Sequence, residues 1–312
     1  MNTELLKKLC AIPSASGDEG KMKDFILNYF AKHSKNFKVS PKVYSGAGFQ
    51  DMVIAIFGEP RTAVLAHTDT VGFTVAYANE LYKIGGPKAK KGTLLVGEDS
   101  KGKIECTLKI EKKKNKKEKE EIFKYEASRT IDPGTNLTYA PDWKETKKYV
   151  KSAYLDNKLG VWNALELANT LENGALVFTT YEEHGGGGAQ FAGKFLQDNF
   201  GVQQALISDV TLLSDSIKHK KGVAISMRDR GIPRRSFLNR VIEVAKENSV
   251  KFQLEVEKAG GSDGNSLQNS SFAWDWYFVG PPEDNYHQPG EKVHKDDIAE
   301  MQKLYRALMS AL

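Results

Sequence analysis

The sequence predicts an α/β protein, a mostly parallel sheet flanked by helices and interrupted by a small all-β unit. Three observations carry that expectation. In the first part of the chain a helical period gives way to short apolar runs. Between residues 73 and 151 the helical period vanishes, and short alternating segments broken by turns replace it. From residue 152 onward strands and helices alternate to the end. The expected organisation is a larger α/β domain of residues 1–72 and 152–312, with residues 73–151 inserted as the β unit.

The elements follow in order. The first forty residues read as helix. Ser16-Gly17-Asp18-Glu19 matches a capping box, with the serine capping and the glutamate reaching back. Met22, Phe25, Ile26, Tyr29 and Phe30 then share a helical face. Met52–Phe57 and Ala63–Ala66 read as buried strands. In the insert, Gly85-Gly86-Pro87, Asp99-Ser100-Lys101-Gly102 and Asp132-Pro133-Gly134 mark turns. The lysine-rich run from Lys112 to Lys119 reads as a solvated hairpin tip. A helix starts at Asp156. Strands are expected at Ala175–Tyr181, Ala205–Ser208, Val223–Met227, Phe252–Val256 and Trp274–Val279. Helices are expected at Ala189–Gln197, Ser236–Asn248 and Asp296–Ser310.

Composition removes several classes of function. Of 312 residues, 40% are hydrophobic and 27% charged, as in ordinary globular domains. The two cysteines, Cys10 and Cys106, lie far apart and form neither a disulfide framework nor a thiolate zinc motif. A reducing, cytoplasmic setting is expected. No apolar run has the length of a signal peptide core or a membrane span. The net charge is +5, but the basic residues concentrate in one run beside Glu118, Glu120 and Glu121, without interleaved aromatics. Neither nucleic acid nor membrane is therefore expected as a partner.

The chemistry-bearing residues gather at strand ends. His67 and Asp69 follow one apolar run, Glu182 and Glu183 another, and Asp209 a third. In open α/β sheets ligands bind beyond the carboxyl ends of strands. Asp69, two residues from His67, can fix the histidine's tautomer. Gly185-Gly186-Gly187-Gly188 lets the chain turn tightly after the two glutamates, so one carboxylate can bind metal while its neighbour holds water. Asp156, at a helix start, has N-capping as its ordinary role. Asp209 ends a core strand, where an unpaired carboxylate is costly and a metal would relieve it. Beyond the last strand His287 and His294 are rivals. A donor set of histidine and carboxylate without thiolate suits Zn²⁺, Mn²⁺ or Co²⁺.

In that order these residues resemble the co-catalytic, two-metal metallopeptidases, and within them the glutamyl and tetrahedral aminopeptidase family. Ala66-His67-Thr68-Asp69-Thr70-Val71-Gly72-Phe73 is similar to the family's first metal motif, and Ala153-Tyr154-Leu155-Asp156-Asn157-Lys158 to its bridging-aspartate segment. Gly260-Gly261-Ser262-Asp263-Gly264 resembles its Gly-Gly-Thr-Asp-Ala stretch. His287-x-Pro289-x-Glu291-x-Val293 resembles its closing motif, which favours His287 over His294 and leaves no role for His184 or His294 assigned.

The resemblance implies a zinc-exopeptidase type of fold with a β-barrel insert serving oligomerisation or substrate access. It implies two divalent ions, zinc first and cobalt or manganese next. His67 and Asp209 would hold one, Glu183 and His287 the other, and Asp156 would bridge. Asp69 would orient His67 and Glu182 would act as general base. Peptides are the implied substrates, and a homo-oligomer from dimer to dodecamer the implied assembly. The alternatives are a two-metal carboxypeptidase, an N-acyl amino acid deacylase, or an inactive scaffold. Three departures bear on substrate recognition and assembly: Asn157 where the family often has a second aspartate, no arginine after Glu183, and Asn285 before Tyr286-His287.

Overall fold

The computed structural model describes residues 1–114 and 119–312. Helices α1 (Thr3–Cys10) and α2 (Gly20–His33) lead into β1 (Lys42–Tyr44), β2 (Val53–Phe57) and β3 (Thr62–His67). Then come β4 (Gly72–Val75), β5 (Glu80–Ile84), β6 (Leu94–Asp99), β7 (Gly102–Lys114), β8 (Lys119–Glu126) and β9 (Asn136–Tyr139). These six close into a barrel ordered β4-β5-β8-β7-β6-β9. After β10 (Lys144–Glu145) and β11 (Tyr149–Ser152) the chain runs through α3 (Leu155–Leu167), β12 (Gly174–Thr179), α4 (Gly188–Phe200), β13 (Gln204–Ser208) and β14 (Thr211–Leu212). It ends with β15 (Val223–Arg228), α5 (Arg235–Glu247), β16 (Phe252–Val256), α6 (Asp263–Gln268), β17 (Asp275–Gly280), β18 (Pro282–Asp284), β19 (Glu291–His294) and α7 (Lys295–Ala311).

The main sheet has the order β1-β2-β12-β3-β13-β17-β15-β16. Its centre, β12-β3-β13-β17, is parallel throughout. Such strands are covered on both faces, so they read as continuous apolar runs. The pleat then sorts their side chains. Val53, Ala55, Phe57, Val64, Ala66, Leu176 and Phe178 pack on one face against α1, α2, α3, α5 and α7. Ile54, Ile56, Ala63, Leu65, Ala175 and Val177 pack on the other, against α4 and α6. The barrel has its own core of Phe73, Val75, Leu81, Leu95, Leu108, Tyr125 and Leu137.

Several boundaries differ from the sequence expectation. The expected N-terminal helix is two helices, parted at Ala11–Glu19. The expected capping box does not form: Glu19 is the N-cap of α2 and makes no side-chain cap bond. The segment is instead drawn to the end of the sheet, where Thr70 N–H donates to the Ser14 carbonyl at 2.9 Å. Ser16 and Glu19 thereby face the strand ends. The lysine-rich tip expected at Lys112–Lys119 falls largely on residues 115–118, outside the described residues. Strands β10 and β11 belong to a second sheet, β10-β11-β19-β18-β14, so residues 144–151 run with the larger α/β unit. Strand β12 stops at Thr179, before Tyr181. Among the described residues no helix is long and apolar enough to cross a membrane.

Candidate metal centre

The parallel strands deliver the site. His67 is the last residue of β3, and Asp209 follows β13 directly. Asp209 sits tightly because Gly280 at the end of β17 has no side chain. A Cβ there would lie 1.7 Å from the Asp209 carbonyl oxygen. Asp156 lies within the first turn of α3 but keeps non-helical dihedrals (φ −79°, ψ 104°), and its side chain points to the histidines rather than capping. Glu182 and Glu183 follow a turn at Tyr181, and His287 lies in the loop between β18 and β19.

Two three-residue clusters result, His67/Asp156/Asp209 and Asp156/Glu183/His287, with their donor atoms within 4.8 Å of one another in each. His67 Nε2 is 3.2 Å from Asp156 Oδ1 and 3.5 Å from Asp209 Oδ2. His287 Nε2 is 3.1 Å from Glu183 Oε2 and 3.4 Å from Asp156 Oδ2. Asp156 thus turns one oxygen to each cluster. Both imidazoles are fixed from behind. His67 Nδ1 donates to the Asp69 carbonyl at 3.2 Å, with the Asp69 carboxylate 3.5 Å away. His287 Nδ1 donates to the Gly86 carbonyl at 3.1 Å. Each ring therefore presents its Nε2 to the centre.

The wholly buried Asp69 does more than orient His67. Its carboxylate accepts the backbone N–H groups of Glu182 (3.1 Å) and Glu183 (3.0 Å) and the Ser16 hydroxyl (2.6 Å). One carboxylate thereby positions parts of both clusters. Glu291 does likewise elsewhere, accepting Asp156 N–H at 3.2 Å and His287 N–H at 3.0 Å. Glu19 accepts the N–H of Tyr181, and Asp263 accepts the Thr179 hydroxyl at 2.5 Å.

The donor set fits a cation. Burial pushes Glu183 up to about 7, with Asp156 adding to it, and burial also raises Glu182 well above the carboxylate range. Burial disfavours charge on the imidazoles, yet the surrounding carboxylates outweigh it. They hold His67 well above its ordinary value and His287 at about 11. The carboxylates thus draw positive charge toward both rings. Glu183 Oε1 is buried with no partner among the described residues, an acceptor in want of a cation.

His294 and His184 lie elsewhere. His294 is buried and accepts the Asp296 N–H at the start of α7. His184 is exposed and accepts the Gly85 N–H at 3.0 Å. The departure at Asn157 is structural: its amide donates to the Ser208 carbonyl at 2.8 Å, a bond that a carboxylate cannot make. Sequence reading gave Ser16 and Glu19 only a capping role and assigned Glu291 and Asp263 no role in the site. Acidic residues within motifs at strand ends, Glu291 and Asp263, were the available signal.

A family model described as M42 glutamyl aminopeptidase matches residues 52–304. The chain belongs to the M42 family. M42 enzymes are peptidases, so the chain is placed among the hydrolases of peptide bonds, with metal dependence. A relative from Acetivibrio thermocellus with an aminopeptidase name is 26% identical, and the alignment covers 96% of each chain. The aminopeptidase APDkam598 of Desulfurococcus kamchatkensis shares the fold with a TM-score of 0.86 at 19% identity, over 99% of this chain and 94% of that one. The TET1 peptidase of Pyrococcus horikoshii, described as assembling into a tetrahedron or a large octahedral shell, gives 0.79 at 22% identity over 98% of both. Both structures share the fold over nearly the whole of this chain, its main sheet and closed barrel included.

Proposed function

We propose that this M42 chain is a two-metal aminopeptidase, with Glu182 as general base. The observation that carries it is the pair of donor clusters sharing Asp156, with Glu182 lining the same cavity. His67 and Asp209 would hold one ion, Glu183 and His287 the other, and Asp156 both. Bound there, divalent ions acidify water and polarise the scissile carbonyl; zinc, cobalt and manganese all suit these donors. Glu182 takes the proton of the attacking water and hands it to the leaving amine. Burial raises its proton affinity, which suits that exchange. Asp69 holds the Glu182 backbone in place, so base and ligands share one anchor.

The barrel of strands β4–β9, which we propose as a separate inserted domain, is also proposed as the unit through which copies assemble, by analogy with the shells described for the Pyrococcus peptidase. Cys10 and Cys106 are free and buried, consistent with a reducing compartment.

The test is hydrolysis of aminoacyl anilides and short peptides by metal-loaded protein. Glu182→Gln should retain metal and lose about 10²–10⁴-fold in kcat. Unchanged turnover removes Glu182 from the base role. Cleavage of N-acyl amino acids but not of free-amine peptides would transfer the site to the deacylase reading.

A further inference from the structure

The cavity that holds the ligand cluster extends beyond it. Its volume is about 270 Å³, and its far side is lined by Thr211, Ser226, Asp229, Glu255 and Glu257. Strand β16 produces this lining by inverting the usual pattern. Leu254 and Val256 are 46% and 73% exposed, whereas Glu255 between them is 5% exposed. Glu257, one residue beyond the strand, lines the same cavity, and its carboxylate accepts the N–H groups of Lys258 (2.9 Å) and Ala259 (3.2 Å). Ser226 stands opposite Glu255 in the parallel register of β15 and β16.

Three carboxylates besides those of the ligand cluster and Glu182 therefore line the cavity, and no lysine or arginine among the described residues pairs with any of the three. Asp229 is internally satisfied, accepting Gly231 N–H, the Ser262 hydroxyl and the Asn265 amide. Glu255 accepts the Thr211 hydroxyl. Ser226, 2% exposed and lining the same cavity, stands beside the Glu255 carboxylate. Leu212 and Phe278 add apolar wall to the same cavity. A lining of apolar wall and carboxylates that no lysine or arginine pairs matches an aliphatic stem ending in a cation.

We propose that this acidic recess receives the first side chain of the peptide and selects lysine or arginine there. The inference rests on the aminopeptidase reading and adds the substrate class to it. Burial holds Glu255 above the usual carboxylate range, a cost that an entering cation reverses. A glutamate side chain would bring a fourth carboxylate into the recess, and like charges reject such a substrate.

The experiment compares lysyl, arginyl, norleucyl and glutamyl anilides on metal-loaded protein. Lysine and norleucine share the stem and the α-amine, so their ratio isolates the side-chain charge. The expected kcat/KM for lysyl and arginyl substrates exceeds that for norleucyl by about tenfold or more, with glutamyl lowest. Glu255→Gln should pull the lysyl-to-norleucyl ratio toward one, and Glu257→Gln should lower it less. Norleucyl or glutamyl substrate cleaved as well as lysyl overturns the proposal and leaves the aminopeptidase reading standing. If no anilide is cleaved with metal bound, that reading fails instead. Calorimetry with lysinamide and norleucinamide then decides the recess: tighter lysinamide binding supports it, and equal binding overturns it.

Discussion

The two donor clusters share one aspartate yet are built in opposite ways. His67 and Asp209 stand at the ends of neighbouring parallel strands in the middle of the sheet, buried and regular. Glu183 and His287 stand on loops whose backbone is forced. Tyr181, two residues before Glu183, has φ 65°, Asn285 has φ 64° and His287 itself φ 60°. A non-glycine residue in that region costs on the order of 1–3 kcal/mol and persists only where the surroundings over-determine it. Here the surroundings are Asp69 and Glu291, whose carboxylates grip the strained segments by their N–H groups. One cluster is positioned by the sheet, the other by second carboxylates that must themselves stay in place.

If that contrast holds, the largest difference should appear on deleting each histidine. His67→Ala leaves Asp69, Asp156 and Asp209 buried around a void. The expected loss is about 3–5 kcal/mol, as for other broken buried pairs. His287→Ala, on a half-buried loop, should lose metal from its cluster with clearly less destabilisation. Calorimetric unfolding together with metal analysis reads both, and equal destabilisation breaks the comparison.

The next effect concerns His287 and the shared Asp156. Glu291→Gln retains an acceptor for only one of the two N–H groups that the carboxylate holds. Metal affinity or activity should fall by about 10–100-fold, the usual consequence of losing an outer partner of a ligand. The metal stoichiometry of the variant checks which cluster is affected. An effect on neither cluster would remove Glu291 from its positioning role.

The smallest expected effect needs no mutation. Chelator-treated protein should show amide exchange faster by about tenfold over residues 181–188 and 285–289, while β3 and β13 stay protected. Exchange mass spectrometry with and without metal measures this, and uniform acceleration across both regions would contradict the distinction.

The same contrast governs how much was legible in the sequence. The strand-end cluster follows from apolar runs terminating in His67 and Asp209, a pattern that parallel sheets make readable. In the loop cluster Glu183 was readable from its strand end and the glycines after it, whereas the choice of His287 and the bridging role of Asp156 came only through the motif resemblance. Nothing local announces that an aromatic Tyr181 will take a left-handed conformation and end the strand early. Ser16 and Glu19 show a second limit. Their spacing satisfies a capping box, and pairing of Ser14 with Thr70 overrode it. Glu255 shows a third. In the edge strand β16 it is buried while its apolar neighbours Leu254 and Val256 are exposed, and the expectation of a strand there did not say which face lies inside. Local pattern reports what a strand can bury, and a site inverts that when the acid is wanted inside.

The insert holds His287 from several sides. Besides the Gly86 carbonyl that holds the His287 ring, Lys88 N–H and the Tyr139 hydroxyl both donate to the His287 carbonyl, each at 2.9 Å. All three donors and acceptors belong to the insert, and none touches His67. A rigid tilt of the insert would therefore carry one ligand and leave the other where it stands. Whatever clasps the barrel from outside the chain holds a lever whose short arm ends on His287.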